Sequence, residues 1–181
     1  MKAMKRRTVL IAGMIISTAL FVILGRFVNI PLGIGEQRLA LEFAVLGFAA
    51  AALGPLPGIG VGFIGMFVLN FLLGRLWWSE IVAAMLMGSI IGLCERSLSI
   101  LDGGFEPRGL LTYAGFSTAA CALCWLLICP TLDTLIYHFE LGGTLLYWAF
   151  YTISVVLCTV VLGGLLCLGL GMYCQKRPLT R

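Results

Sequence analysis

Charge is the scarcest thing in this chain. Of its 181 residues only 11% are Asp, Glu, Lys or Arg, against 61% hydrophobic, whereas a soluble domain carries about 25% charged residues. So little charge cannot coat a water-soluble globule without exposing large apolar patches. Lipid is the solvent that removes the difficulty. Histidine is also nearly absent: His138 is the only one. It has no His-x-x-His or Cys-rich partner, and no G-x-S-x-G accompanies it. A Ser–His intramembrane protease would need its nucleophile and base on facing helices, so neither an enzyme nor a metal site is expected. The phosphate-binding pattern G-x-x-x-x-G-K-[ST] is missing as well. The chain is therefore not itself the ATPase of a pump. No cofactor and no nucleic-acid partner is expected.

Cysteine is present but without a framework. Cys94, Cys121, Cys124, Cys129, Cys158, Cys167 and Cys174 all fall inside apolar runs or at their ends. An odd number in such places argues against disulfide staples and for small packing residues. Cys121-x-x-Cys124 has no second pair and reads as packing rather than metal or redox chemistry.

What fills the chain is apolar helix. A membrane-crossing helix needs about 20 mostly apolar residues. The spacing of polar and breaker residues predicts six spans over about 8–30, 41–53, 59–73, 80–94, 109–129 and 144–173. The expected fold is an all-α integral membrane protein, a single transmembrane domain over 1–181. The basic start (Lys2, Lys5, Arg6, Arg7) resembles a secretory signal. The run after it is too long for a signal core and has no small-x-small end before Pro31, so it is read as the first span. The second span looks short and ends at Gly54-Pro55-Leu56-Pro57-Gly58, a strong breaker. Pro130 is expected to stop the fifth span, leaving a loop over about 131–143.

Lys and Arg set the orientation. With the N-terminus inside, nine of them (Lys2, Lys5, Arg6, Arg7, Arg96, Arg108, Lys176, Arg177, Arg181) face the cytoplasm and three (Arg26, Arg38, Arg75) face outward. Both termini are then cytoplasmic. The connections after spans one, three and five lie outside, and they gather Asn29, Glu36, Arg38, Asn70, Trp77, Trp78, Asp133, Tyr137 and His138. A bound small molecule is expected there.

Arg26 and Glu42 are ionisable groups at the edges of membrane segments, where charge is costly and site roles are the default reading. They pair with each other, contact a ligand, or do both. Trp77-Trp78 is either an interfacial belt or a stacking surface for a flat heterocycle. Gly60-Val61-Gly62-Phe63-Ile64-Gly65 matches a dinucleotide fingerprint. It lies inside an apolar span rather than at a strand-to-helix turn, so close helix packing is the expected role. Gly13 and Ser17 form a small-x-x-x-small pair on span one, for internal packing or for docking a partner helix.

From Ala19 to Pro31 (ALFVILGRFVNIP), and again at Leu53-Gly-Pro with Gly58, Val61-Gly-Phe-Ile-Gly65, Trp77-Trp-Ser79, Gly88 to Leu93 and Pro130 to Tyr137 (PTLDTLIY), the chain resembles the substrate-binding S components of energy-coupling factor (ECF) vitamin transporters. The riboflavin-type branch, with some members tied to methionine-related regulation, is the most similar. The resemblance runs in order along nearly the whole chain.

It implies a six-helix binder in the bacterial plasma membrane, partnered by a coupling transmembrane subunit and cytoplasmic ATPase subunits. Gly13 and Ser17 would dock on the coupling subunit. Riboflavin or a related vitamin-like molecule would be captured from the outer face. Arg26 and Glu42 would set the pocket's charge, Asn29 and Asn70 would hydrogen-bond the ligand, Trp77 or Trp78 would stack on it, Asp133 and Tyr137 would close the third outer loop over it, and Arg38 would be a further substrate-binding residue. The chain departs from the family pattern on that side. Asn70 stands where an acidic residue is expected, and Glu36, Gln37, Arg38 and Glu42 replace less charged residues. The competing expectation is a stand-alone secondary transporter or channel, which would favour charges at mid-membrane and inverted repeats. Spans three, five and six have no central charge.

Overall fold

The computed structural model describes residues 2–28, 30–31, 38–103, 106 and 108–176, with side chains from residue 6 onward. Apart from one isolated bridge between Pro31 and Arg38, its regular structure is helical. Helix α1 covers Lys2–Phe27, α2 Glu42–Leu53, α3 Pro55–Leu72 and α4 Trp78–Gly92. Two continuous helices follow, α5 over Gly109–Tyr137 and α6 over Leu141–Lys176. Five helical stretches are long and apolar enough to cross a membrane, and α2 is a shorter apolar sixth.

The shortness of α2 has a packing cause. Ten of its twelve residues are buried, because α1, α3, α4 and α6 all pack around it. A helix enclosed by protein does not have to satisfy the lipid thickness by itself. Its small side chains, Ala49, Ala50, Ala51 and Ala52, are all buried and let the neighbours approach.

Helices α3 and α4 meet backbone to backbone. A Cβ on Gly58 would strike the Gly88 carbonyl, one on Gly62 would strike that of Ala84, and one on Gly92 would strike Pro55. The glycines of the fingerprint-like run therefore serve helix contact, as the expectation for small residues in membrane helices has it.

Several boundaries correct the sequence reading. The breaker before span three is a single residue: Gly54 takes φ 98°, and Pro55 opens α3 at a position where a missing N–H costs nothing. Span three therefore begins at Pro55 rather than at residue 59. Pro130 does not stop span five. The helix passes through it to Tyr137, because the seven residues before it, Ala122–Ile128 with Cys129 following, wind as a π-helix. That wider turn moves carbonyls out of the path of the proline ring. The Thr131 and Thr134 hydroxyls donate to the Leu127 and Pro130 carbonyls at 2.6 and 2.9 Å. The expected loop over 131–143 shrinks to His138–Glu140, and His138 ends the helix in the left-handed region at φ 57°.

At one end of the bundle Arg6 pairs with Glu95 at 3.2 Å, and Gly103 packs against the Cys174 backbone. The start of α1 and the end of α6 therefore share that end, which by the Lys and Arg distribution is the cytoplasmic one. All seven cysteines are buried and free.

Candidate functional site

The opposite end of the bundle holds its polar chemistry, in three linked clusters above an aromatic core. The first ties the connection after α1 to α2 and α6. Arg38 donates to the Gly25 carbonyl at 2.5 Å and to a Glu42 carboxylate oxygen at 3.0 Å. The Ser154 hydroxyl donates to the Arg38 carbonyl and accepts from the Ala40 amide. Glu42 is wholly buried. The alternative of an Arg26–Glu42 pair is corrected here. Arg38, four residues before Glu42, is the partner, while Arg26 is exposed at the end of α1. Arg38 precedes the helix, in the bridge to Pro31, and the non-helical residues 39–41 lead from it into α2, whose first residue is Glu42.

The second cluster joins α3 to α4. The Asn70 amide donates to Glu80 at 3.1 Å, and Arg75 donates to the same carboxylate at 3.2 Å. The Arg75 guanidinium also lies 4.6 Å from the centre of the Trp77 ring. In the third, the Trp148 indole donates to Asp133 at 2.7 Å, joining α6 to α5. Tyr137 accepts a hydrogen bond from the Trp78 backbone amide at 2.8 Å, and its ring lies 6.5 Å from that of Trp77.

These clusters are mutually close. Glu80 lies within electrostatic reach of Asp133 and Arg38, and Tyr151 within reach of both Glu42 and Glu80. Beneath them Phe43, Trp125, Trp148 and Tyr151 form a continuous aromatic cluster with centroid separations of 5.1–6.3 Å, mostly edge to face. Aromatic pairs of this geometry add about 0.5–1.5 kcal/mol each beyond the area they bury.

A cavity of about 450 Å³ opens at this end, lined by Arg75, Trp77, Asp133, Phe139, Gly143, Thr144, Tyr147 and Trp148. Ligand pockets run from about 300 to 1,000 Å³ and pair apolar walls with a few placed polar groups. Among the described residues, no group of His, Cys, Asp and Glu is arranged to hold a metal ion.

Of the residues singled out from sequence, Trp77 and Asp133 line the cavity. Tyr137 and Trp78 brace its rim, and Trp78 is 45% exposed. Asn70 is buried behind Arg75, and Arg38 and Glu42 form the separate cluster on α2. Asn29 and Glu36 lie outside the described residues. Gly13 packs against the Leu53 side chain, and Ser17 is 6% exposed. Both therefore make packing contacts within the chain. Ile11, Ile15, Ile16 and Ile23 of α1 are exposed.

Sequence reasoning missed Arg75, Glu80, Tyr147 and Trp148. Glu80 had a usable signal, since a carboxylate at the start of a membrane span is as costly as Glu42. Trp148 had none, because the contact it makes depends on how α5 and α6 fold back on each other.

Over residues 4–176 the sequence matches the family described as ECF-type riboflavin transporter, S component. The chain belongs to that family. S components are the substrate-binding membrane subunits of ECF transporters, not enzymes. This S component is accordingly a multi-pass protein of the bacterial plasma membrane that associates with ECF transmembrane and ATPase subunits and takes a small-molecule substrate. The stand-alone transporter expectation gives way to that assignment. Among its relatives, a UPF0397 protein of Lactobacillus gasseri is 36% identical over 152 residues, covering 83% of this chain and 82% of that protein. One from Enterococcus faecalis is 33% identical over 152 residues, covering 83% of each. One from Staphylococcus aureus is 36% identical over 124 residues, covering 68% and 67%. No solved structure matches.

Proposed function

We propose that this S component captures a vitamin-like small molecule, riboflavin or a related micronutrient, from the outer face of the membrane. The observation that carries the reading is the cavity between the α3–α4 connection and the facing ends of α5 and α6, where Trp77, Tyr147 and Trp148 supply ring surface and Asp133 supplies a polar contact. Asn70, Glu80 and Arg75 support one wall, and Trp78 with Tyr137 closes the rim. Arg38 and Glu42 hold the adjoining end of α2 in register. The chain carries no P-loop, so energy for release must come from ATPase subunits.

Two tryptophans in the cavity wall make intrinsic fluorescence the natural readout. Purified full-length protein titrated with a panel of vitamins and methionine-related compounds is expected to show saturable quenching by at least one of them. Sealed right-side-out vesicles should bind that compound without permeabilisation. Binding only after permeabilisation would place the entrance on the cytoplasmic side and refute capture from outside.

A further inference from the structure

The buried polar atoms at the cavity end are biased toward one kind of hydrogen bonding. Asp133 is 3% exposed. Its Oδ2 takes the Trp148 indole N–H, while Oδ1 has no hydrogen-bond partner among the described residues. Behind the cavity wall Asn70, 1% exposed, has no partner for its Oδ1 among the described residues, and neither has Glu42 for its Oε2. The Asn70 orientation is not arbitrary. Its amide nitrogen must face Glu80, because a carboxylate only accepts. Three atoms from three different helices are thus short of a donor. Among the fully buried atoms of the described residues, Trp125 Nε1 is an unpartnered indole donor and Ser79 Oγ can serve either way. A buried unpaired acceptor costs about 1–3 kcal/mol, so three in one layer are worth explaining.

Charge points the same way. The layer contains three carboxylates, Glu42, Glu80 and Asp133, and two guanidinium groups, Arg38 and Arg75. Each arginine is committed to a glutamate, and Arg75 is in addition stacked on Trp77. Asp133 has no ion pair among the described residues, and it is the carboxylate that lines the cavity.

We infer that the ligand of this cavity is a flat heterocycle presenting an amino or cationic N–H edge to Asp133, with its ring between Trp77, Tyr147 and Trp148. This rests on the reading of the cavity as the substrate site and narrows it. An exocyclic amine on a ring edge donates, whereas a ring carbonyl oxygen only accepts. Opposite an unpaired carboxylate the amine satisfies Asp133 Oδ1, and a carbonyl would set two acceptors against each other. Sites built around a buried hydrogen bond reject analogues that cannot make it far more strongly than apolar pockets reject a changed shape.

The test uses matched pairs differing only in the presence of the exocyclic amine. Thiamine with its analogue lacking the pyrimidine amine, and adenosine with purine riboside, are titrated into purified full-length protein in nanodiscs. The expected result is that an amino member binds at least about tenfold more tightly than its partner lacking the amine. Asp133→Asn, whose amide both donates and accepts and so keeps the Trp148 bond, should reduce that preference to about twofold. Melting temperatures of variant and parent within a few degrees of each other would show that the variant is folded. An analogue lacking the amine that binds as tightly as its amino partner would overturn this inference and leave the proposed function standing. So would a preference that survives Asp133→Asn. No saturable binding by any probe would overturn both.

Discussion

Removing Arg38 should be far more damaging than neutralising the glutamate it serves. Glu42 is wholly buried on a helix surrounded by protein, and Arg38 is its only ion-pair partner among the described residues. Arg38→Met leaves that carboxylate without compensation, a change that costs about 3–5 kcal/mol in buried pairs. For a chain of this length 1 kcal/mol corresponds to about 2–4 °C in melting temperature, so a drop of about 6–20 °C is expected. Glu42→Gln is milder. The Arg38 side chain is 24% exposed and still donates to the Gly25 carbonyl, so its charge remains hydrated and the loss should be about 1 kcal/mol. The double substitution should be more stable than Arg38→Met alone, since the stranded charge is gone. It should still fall short of the parent, because the Gly25 carbonyl has lost its donor. Thermal unfolding in one detergent at one scan rate, followed by tryptophan fluorescence, reads all four proteins. Equal losses from the two single substitutions, or a double variant whose loss is their sum, would refute the view that burial of Glu42 sets the energetics.

The α3–α4 contact makes a second contrast. Gly88→Ala forces a Cβ into the Gly58 backbone and should cost about 1–3 kcal/mol, whereas Gly169→Ala meets nothing within 4 Å and should be neutral or stabilise by up to about 1 kcal/mol; melting temperatures of the two side by side decide it. Trp148→Phe keeps the ring but strips Asp133 of its donor, and a loss of about 1–3 kcal/mol should appear in the same assay. Arg6→Ala breaks the Glu95 pair at the cytoplasmic end, but the Arg6 side chain is 54% exposed, so a change below about 1 kcal/mol is expected. A large loss there would mean that this ion pair anchors α1.

The apolar architecture was legible because lipid imposes a length and a polarity that survive in sequence: long runs, interrupted by Gly54 and by polar connections, with Lys and Arg biased to one side. The carboxylate at Glu42 announced itself for the same reason. An Arg26–Glu42 pair was one of the alternatives the sequence left open, and the Arg38–Glu42 contact depends on how residues 38–41 lead into α2, which no local pattern records. Pro130 misled because the rule for proline assumes an α-helical turn before it, and the π-helical segment over Ala122–Ile128 removes the clash. The cavity needed three pieces of chain far apart in sequence, Arg75 to Trp77, Asp133, and Phe139 to Trp148. No local pattern records that they meet.

The enclosed short helix has a consequence for how the protein sits in membranes of different thickness. Twelve residues of α-helix rise only about 18 Å, well under the roughly 30 Å of a hydrocarbon core. Because α2 is sheathed by α1, α3, α4 and α6, a thinner or thicker bilayer would tilt the sheath but exert no direct pull on the helix inside it. The Arg38–Glu42 pair is referenced to neighbouring helices rather than to the lipid headgroups. The depth of the polar layer is therefore set by the protein, and it travels with the bundle wherever the bundle is carried.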